Sequence, residues 1–111
     1  MLPHDVVDQF QAVTSELRKA QESLSDALQR AVRADRDYRL ARARSYLKSE
    51  GKTVGEREAE VELLVDEDRL TAKLAEGQVE ACKQRLLNLR QELSALTSVC
   101  YLVRSESELA R

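Results

Sequence analysis

A chain of 111 residues suffices for one small domain, and with three glycines, one proline and four aromatics it holds little material for β-turns or a large aromatic core. Charged residues make up 34% and apolar ones 42%, with Ala, Leu, Glu, Arg and Lys prominent, which is the composition of long solvated helices and coiled coils. The net charge of −2 excludes a nucleic-acid-binding polycation, so any attraction for phosphate has to come from local segregation of charge.

The opening MLPHDVVDQF has neither a basic leader nor an apolar run, and no later stretch is apolar enough to cross a membrane, so a reduced, cytoplasmic setting without membrane contact is expected. From Val6, apolar or small residues recur at spacings of four and three: Phe10, Val13, Leu17, Ala20, Leu24, Ala27, Ala31, Ala34, Tyr38 and Ala41 follow. This heptad seam predicts a helix over about 4–49, with Pro3 in its first turn and Asp5 at the favourable end of its dipole.

Next comes a turn at about 50–53. Gly51 is the residue best able to close a helix in the left-handed conformation, and Thr53-Val54-Gly55-Glu56 has the spacing of a capping box for the next helix. The letters Gly51-Lys52-Thr53 also end a P-loop, but Tyr46 stands where that motif's first glycine belongs and a helix, not a strand, precedes it. The turn-and-cap reading therefore displaces the phosphate-cradle one.

A second helix is expected over about 54–108, with a seam of Val61, Val65, Ala72, Ala75, Val79, Cys82, Leu86, Leu89, Leu93, Leu96, Cys100 and Val103 that Asp68 alone interrupts. Folding about the turn gives an all-α chain, a single 1–111 domain in the form of a long antiparallel helical hairpin, with Tyr38 near Val65 and Phe10 near Leu93. Its seam is alanine-rich near the turn and leucine-rich toward the free ends, where the second helix should overhang the first. Leu63, Leu70 and Leu74 form a second apolar stripe, and Leu96, Val99, Leu102 and Val103 belong to the overhang. Two helices cannot cover all of these, so both sets are expected to contact other copies in a homo-oligomeric bundle.

Catalytic chemistry finds little support, and no cofactor or metal is expected. The single histidine, His4, allows no His-based dyad, and Cys82 and Cys100 occupy seam positions too far apart on one helix to pair, where a cysteine serves as a small apolar residue. The informative feature is charge. Arg30, Arg33, Arg36, Arg39, Arg42, Arg44, Lys48 and Lys52 stand before or in the turn, and Glu56, Glu58, Glu60, Glu62, Asp66, Glu67 and Asp68 after it. Salt bridges across a folded hairpin would explain both runs. Yet Arg30, Arg33, Arg44 and Lys48 fall on one side of the seam and Arg39 and Arg42 on the other, and one acidic arm cannot neutralise both flanks. The remainder suit sequence-independent contacts with a nucleic-acid backbone, the candidates being Arg33, Arg39, Arg42, Arg44, Lys48 and Lys52.

At Leu40-Ala41-Arg42-Ala43-Arg44-Ser45-Tyr46 the pattern resembles the phage recombination mediators of the UvsY type: a long first helix ending in a basic-Ala-Arg element with a nearby tyrosine, a glycine-containing turn, an acidic helix start and a long apolar C-terminal helix. The stretch Asp37-Tyr38 through Tyr46-Leu47-Lys48, with Gly51-Lys52-Thr53 and Glu56-Arg57, is also similar to small helical proteins encoded by phages of actinobacteria. The resemblance implies an oligomer held largely by its C-terminal helix, binding single-stranded DNA through the pair matched by Arg42 and Arg44. It further implies partners in a recombinase and a single-strand-binding protein, in the cytoplasm of a bacterial host. Fewer aromatics and a more regular seam set this chain apart. The alternative, from the residues alone, is a homo-oligomeric coiled-coil scaffold or adaptor that binds a protein and no DNA.

Overall fold

The computed structural model describes residues 3–109; Met1, Leu2, Ala110 and Arg111, which the single-domain reading of 1–111 includes, lie outside the described residues. The described chain is all α-helical, with no strand among its residues: α1 is Pro3–Lys48, α2 is Val54–Leu64 and α3 is Asp66–Leu109. No helix of the described residues is long and apolar enough to cross a membrane.

Asp5 lies in the first turn of α1 and Lys48 in its last, each placed to suit the helix dipole. The end of α1 differs from the sequence expectation. No described residue, glycine included, adopts a positive φ, so Gly51 is not a left-handed cap. Instead the Ser49 amide donates to the Tyr46 carbonyl at 3.3 Å, a tightened last turn, and the Ser49 hydroxyl accepts from the Gly51 amide while donating to Glu60 at 2.9 Å. Gly51 is needed for space: a Cβ built there would lie 2.9 Å from the Arg57 backbone nitrogen.

Thr53 caps α2. Its backbone is extended, with φ −114° and ψ 162°, and its hydroxyl accepts from the Glu56 amide at 3.1 Å. The Glu56 carboxylate reaches back one residue further than the usual capping box and accepts from the Lys52 amide at 3.0 Å.

The expected single helix over 54–108 is divided at Val65, which has φ −105° and ψ 12°. Amide bonds from Val65 to the Val61 carbonyl (3.0 Å) and from Arg69 to the Val65 carbonyl (2.9 Å) carry the hydrogen-bond pattern through the break. Val61 and Val65 are the largest fully buried side chains among the described residues, at 0% and 1% exposure. The interruption sits where two successive branched residues enter the core.

The chain divides into two compact units. One comprises the described parts of Met1–Leu24 and Ala81–Arg111; the other is Ser25–Glu80. The core of the first contains Val6, Val13, Ala20, Leu86, Leu89 and Leu96, with Leu17 and Leu24 packed against Ala20, Leu86 and Leu89. The core of the second contains Ala27, Val61, Val65, Ala72 and Val79. Seven-residue spacing governs both: Val6, Val13, Ala20 and Ala27 on α1, and Val65, Ala72, Val79 and Leu86 along the second arm. The buried core near the turn consists of valines and alanines, with Val61, Val65 and Val79 beside Ala27 and Ala72, and the buried leucines all belong to the other unit. Phe10, at 37% exposure, stays at the margin.

Candidate functional site

The basic end of α1 belongs to the second unit, Ser25–Glu80. There Arg33, Arg39, Arg42, Arg44, Lys48 and Lys52 are all exposed. Arg39 pairs with Asp35 one turn earlier, Nε to Oδ2 at 3.0 Å. Arg42 Nη2 lies 3.9 Å from Glu62 Oε1, and among the described residues this is the one ion pair that joins the basic part of α1 to the acidic part of α2. The remaining six cations of the run (Arg30, Arg33, Arg36, Arg44, Lys48 and Lys52) have no ion pair among the described residues. The acidic run is occupied largely with itself and with the turn. Glu56 holds the Lys52 amide, Glu60 the Ser49 hydroxyl and Asp66 the Arg69 guanidinium at 2.6 Å.

Arg42 and Arg69 converge on Glu62 from different helices, Arg69 Nη1 standing 4.0 Å from Oε2. The Arg42 guanidinium also lies over the Tyr46 ring, 6.0 Å from its centroid, at the outer reach of a cation–π contact. The Arg42 pKa is raised above the ordinary arginine value, first by the neighbouring Tyr46 side chain, then by Tyr38 and, more weakly, Glu62. That of Arg69 is raised by its hydrogen bond to Asp66, with further help from the Asp66 charge and from Glu62. Both guanidiniums therefore stay charged at any working pH.

Two further features border this surface. Arg30 and Arg33 line a groove with Asp37, Asp68, Thr71 and Leu74. Leu63, Leu70 and Leu74 are exposed at 82%, 57% and 63%, a stripe on α2 and α3 left uncovered by the chain itself. Val32, Leu40 and Leu47, exposed at 69%, 40% and 87%, make a corresponding stripe on α1. Spacings of eight and seven keep them on one face of α1, with the charged Arg36 and with Ala43 between them. Sequence analysis finds a second stripe only on the second helix, because Arg36 interrupts this one.

In the other unit the expected overhang is not bare. Cys100, Val103, Arg104, Ser107 and Glu108 line a groove together with Val6 and Val7 of α1. Leu96 is buried within the chain at 9% exposure, where it continues the seven-residue spacing from Leu89. Val99 and Val103 are half-buried, and Leu102 is exposed at 65%. Cys82 and Cys100 are half-buried free thiols.

Arg69 and Tyr46 were not among the sequence-predicted site residues. Arg69 belongs to the acidic run and reads there as an isolated cation, and only the folded chain brings it to Arg42. No protein-family profile matches the chain, and neither a curated protein nor a solved structure is significantly similar to it.

Proposed function

We propose that the chain is a non-enzymatic, single-stranded-DNA-binding protein of the recombination-mediator kind. In this reading antiparallel helical hairpins assemble into a homo-oligomer, whose basic α1 segments hold phosphates without regard to base sequence and assist recombinase loading. One observation carries it: six of the eight cations between Arg30 and Lys52 have no acidic partner among the described residues, although a run of seven carboxylates follows the turn. Salt bridging within the chain thus leaves most of this charge available for counterion release on a polyanion. Repetition around an oligomer would multiply it.

The stripe Leu63, Leu70 and Leu74 supports the oligomer, and it equally supports the second reading, a coiled-coil scaffold whose leucines receive a protein partner. Titration of a labelled mixed-sequence oligonucleotide at two salt concentrations separates the two. The mediator reading expects retardation of single strands that weakens steeply with salt; the scaffold reading expects none at either concentration.

A further inference from the structure

Two arginines from separate helices meet at one carboxylate in the Ser25–Glu80 unit, and neither contact is close. Glu62 stands 3.9 Å from Arg42 and 4.0 Å from Arg69, with all three side chains between 43% and 50% exposed. Each guanidinium has a second neighbour. Asp66 holds Arg69 at 2.6 Å, one turn away on α3, and the Tyr46 ring lies 6.0 Å from the Arg42 guanidinium, one turn away on α1. Remove the Glu62 carboxylate and Arg69 keeps its ion pair, while Arg42 is left beside the Tyr46 ring.

We infer that Glu62 occupies, in the unbound protein, the place of a DNA phosphate: Arg42 and Arg69 form a two-arginine phosphate site that the nucleic acid enters by displacing this carboxylate. The inference rests on the DNA-binding reading above and adds Arg69 and Glu62 to it. Arginine presents its donors in a planar fork that accepts carboxylate and phosphate oxygens alike, and two forks aimed at one anion suit a group with more acceptor oxygens than a carboxylate has. Contacts at the limit of ion pairing, on side chains about half in water, make Glu62 a weak competitor, because exposed pairs of this kind are screened and contribute little. Exchange also costs little desolvation, as the site is already wet.

The test compares E62Q with E58Q. Glu58 lies on the same helix, is exposed and has no ion pair among the described residues, so its neutralisation changes the net charge equally without touching the site. Affinity for a labelled single-stranded oligonucleotide is measured with the full chain at two salt concentrations, and circular dichroism checks that helix content is kept. E62Q is expected to tighten binding by roughly two- to fivefold, the range that the loss of an exposed competing pair allows, while E58Q changes it much less. R69A is expected to weaken binding and to lower the salt slope by about 0.7, one phosphate contact on a single strand. Equal gains from E58Q and E62Q, or wild-type affinity in E62Q or R69A, overturn the inference while leaving DNA binding by α1 standing. Failure of wild type and E62Q alike to bind at low salt overturns the DNA-binding reading, and the inference with it.

Discussion

Arg85 Nη2 donates to Glu16 Oε2 at 2.8 Å across 69 positions of sequence. The contact ties α3 to α1 within one compact unit, beside the core formed by Ala20, Leu86 and Leu89 with Leu17. Glu16 also receives Lys19 at 3.4 Å, so its carboxylate serves two cations. Apolar burial at Ala20 and Leu86 supplies the attraction, and the ion pair at its edge helps to select the register, since a slip of one turn would part the charges.

A double-mutant cycle on Glu16→Gln and Arg85→Gln should give a coupling of about 0.2–1 kcal/mol, because both side chains are around half exposed. Exchanging the charges, with Glu16→Arg and Arg85→Glu together, should recover most of the loss seen in either charge reversal alone. Urea denaturation read by helix content measures it. Reversals that simply add would show that the pair does not define register.

The two glycines Gly51 and Gly77 should respond to alanine with opposite signs. At Gly51 a Cβ would stand 2.9 Å from the Arg57 backbone nitrogen and 3.1 Å from the Glu56 carbonyl carbon, neither of which is the end of a flexible side chain. Gly51→Ala should destabilise by about 1–3 kcal/mol through this crowding. At Gly77, inside α3, a Cβ would meet nothing within 4 Å, and Gly77→Ala should stabilise by roughly 0.5–1 kcal/mol through helix propensity. Paired thermal melts at one protein concentration decide both signs.

Much of this architecture could be read from spacing. The seven-residue repeat from Val6 to Ala27 and from Val65 to Leu86 becomes the buried line of the structure, and Thr53 with Glu56 caps α2. What escaped depends on detail that periodicity does not carry. The break at Val65 leaves the pattern of apolar residues intact, so no spacing reveals it. Gly51 was expected to supply a left-handed cap, whereas Ser49 closes α1 by hydrogen bonds and Gly51 makes room for Arg57 and accepts from its Nε. At the candidate site, the abundance of unpaired cations followed from counting charges on two flanks. The meeting of Arg42, Glu62 and Arg69 did not, because it depends on the folded distance across the turn.

The leucine stripe supports a test of assembly. Replacing Leu63, Leu70 and Leu74 together with Gln removes exposed apolar surface without opening the core, since Val61, Val65 and Ala72 carry the burial nearby. If copies of the chain cover this stripe, the triple variant should shift toward a smaller species by light scattering at micromolar concentration and melt at a temperature that depends less on protein concentration. An unchanged mass in the variant would remove the stripe from any self-interface and leave it to a partner of another kind.

The sharpest test of function uses cations that the fold does not need. Arg33 and Arg44 are exposed, lie inside α1 and have no ion pair among the described residues, so the double substitution to alanine should leave thermal stability nearly unchanged, with alanine the better helix former. Arg39→Ala instead loses the pair with Asp35 and should cost about 0.3–0.5 kcal/mol. Binding should separate from stability. If Arg33 and Arg44 each contact one phosphate of a single strand, their joint loss should lower the salt slope by about 1.4, at about 0.7 per contact, and weaken binding most at low salt, alike for oligonucleotides of different sequence. Loss of affinity for one sequence alone would point to base contacts, which this arginine face, without an adjoining aromatic platform of its own, is poorly made to provide. Wild-type affinity and slope in the double variant would take these two arginines out of the interface.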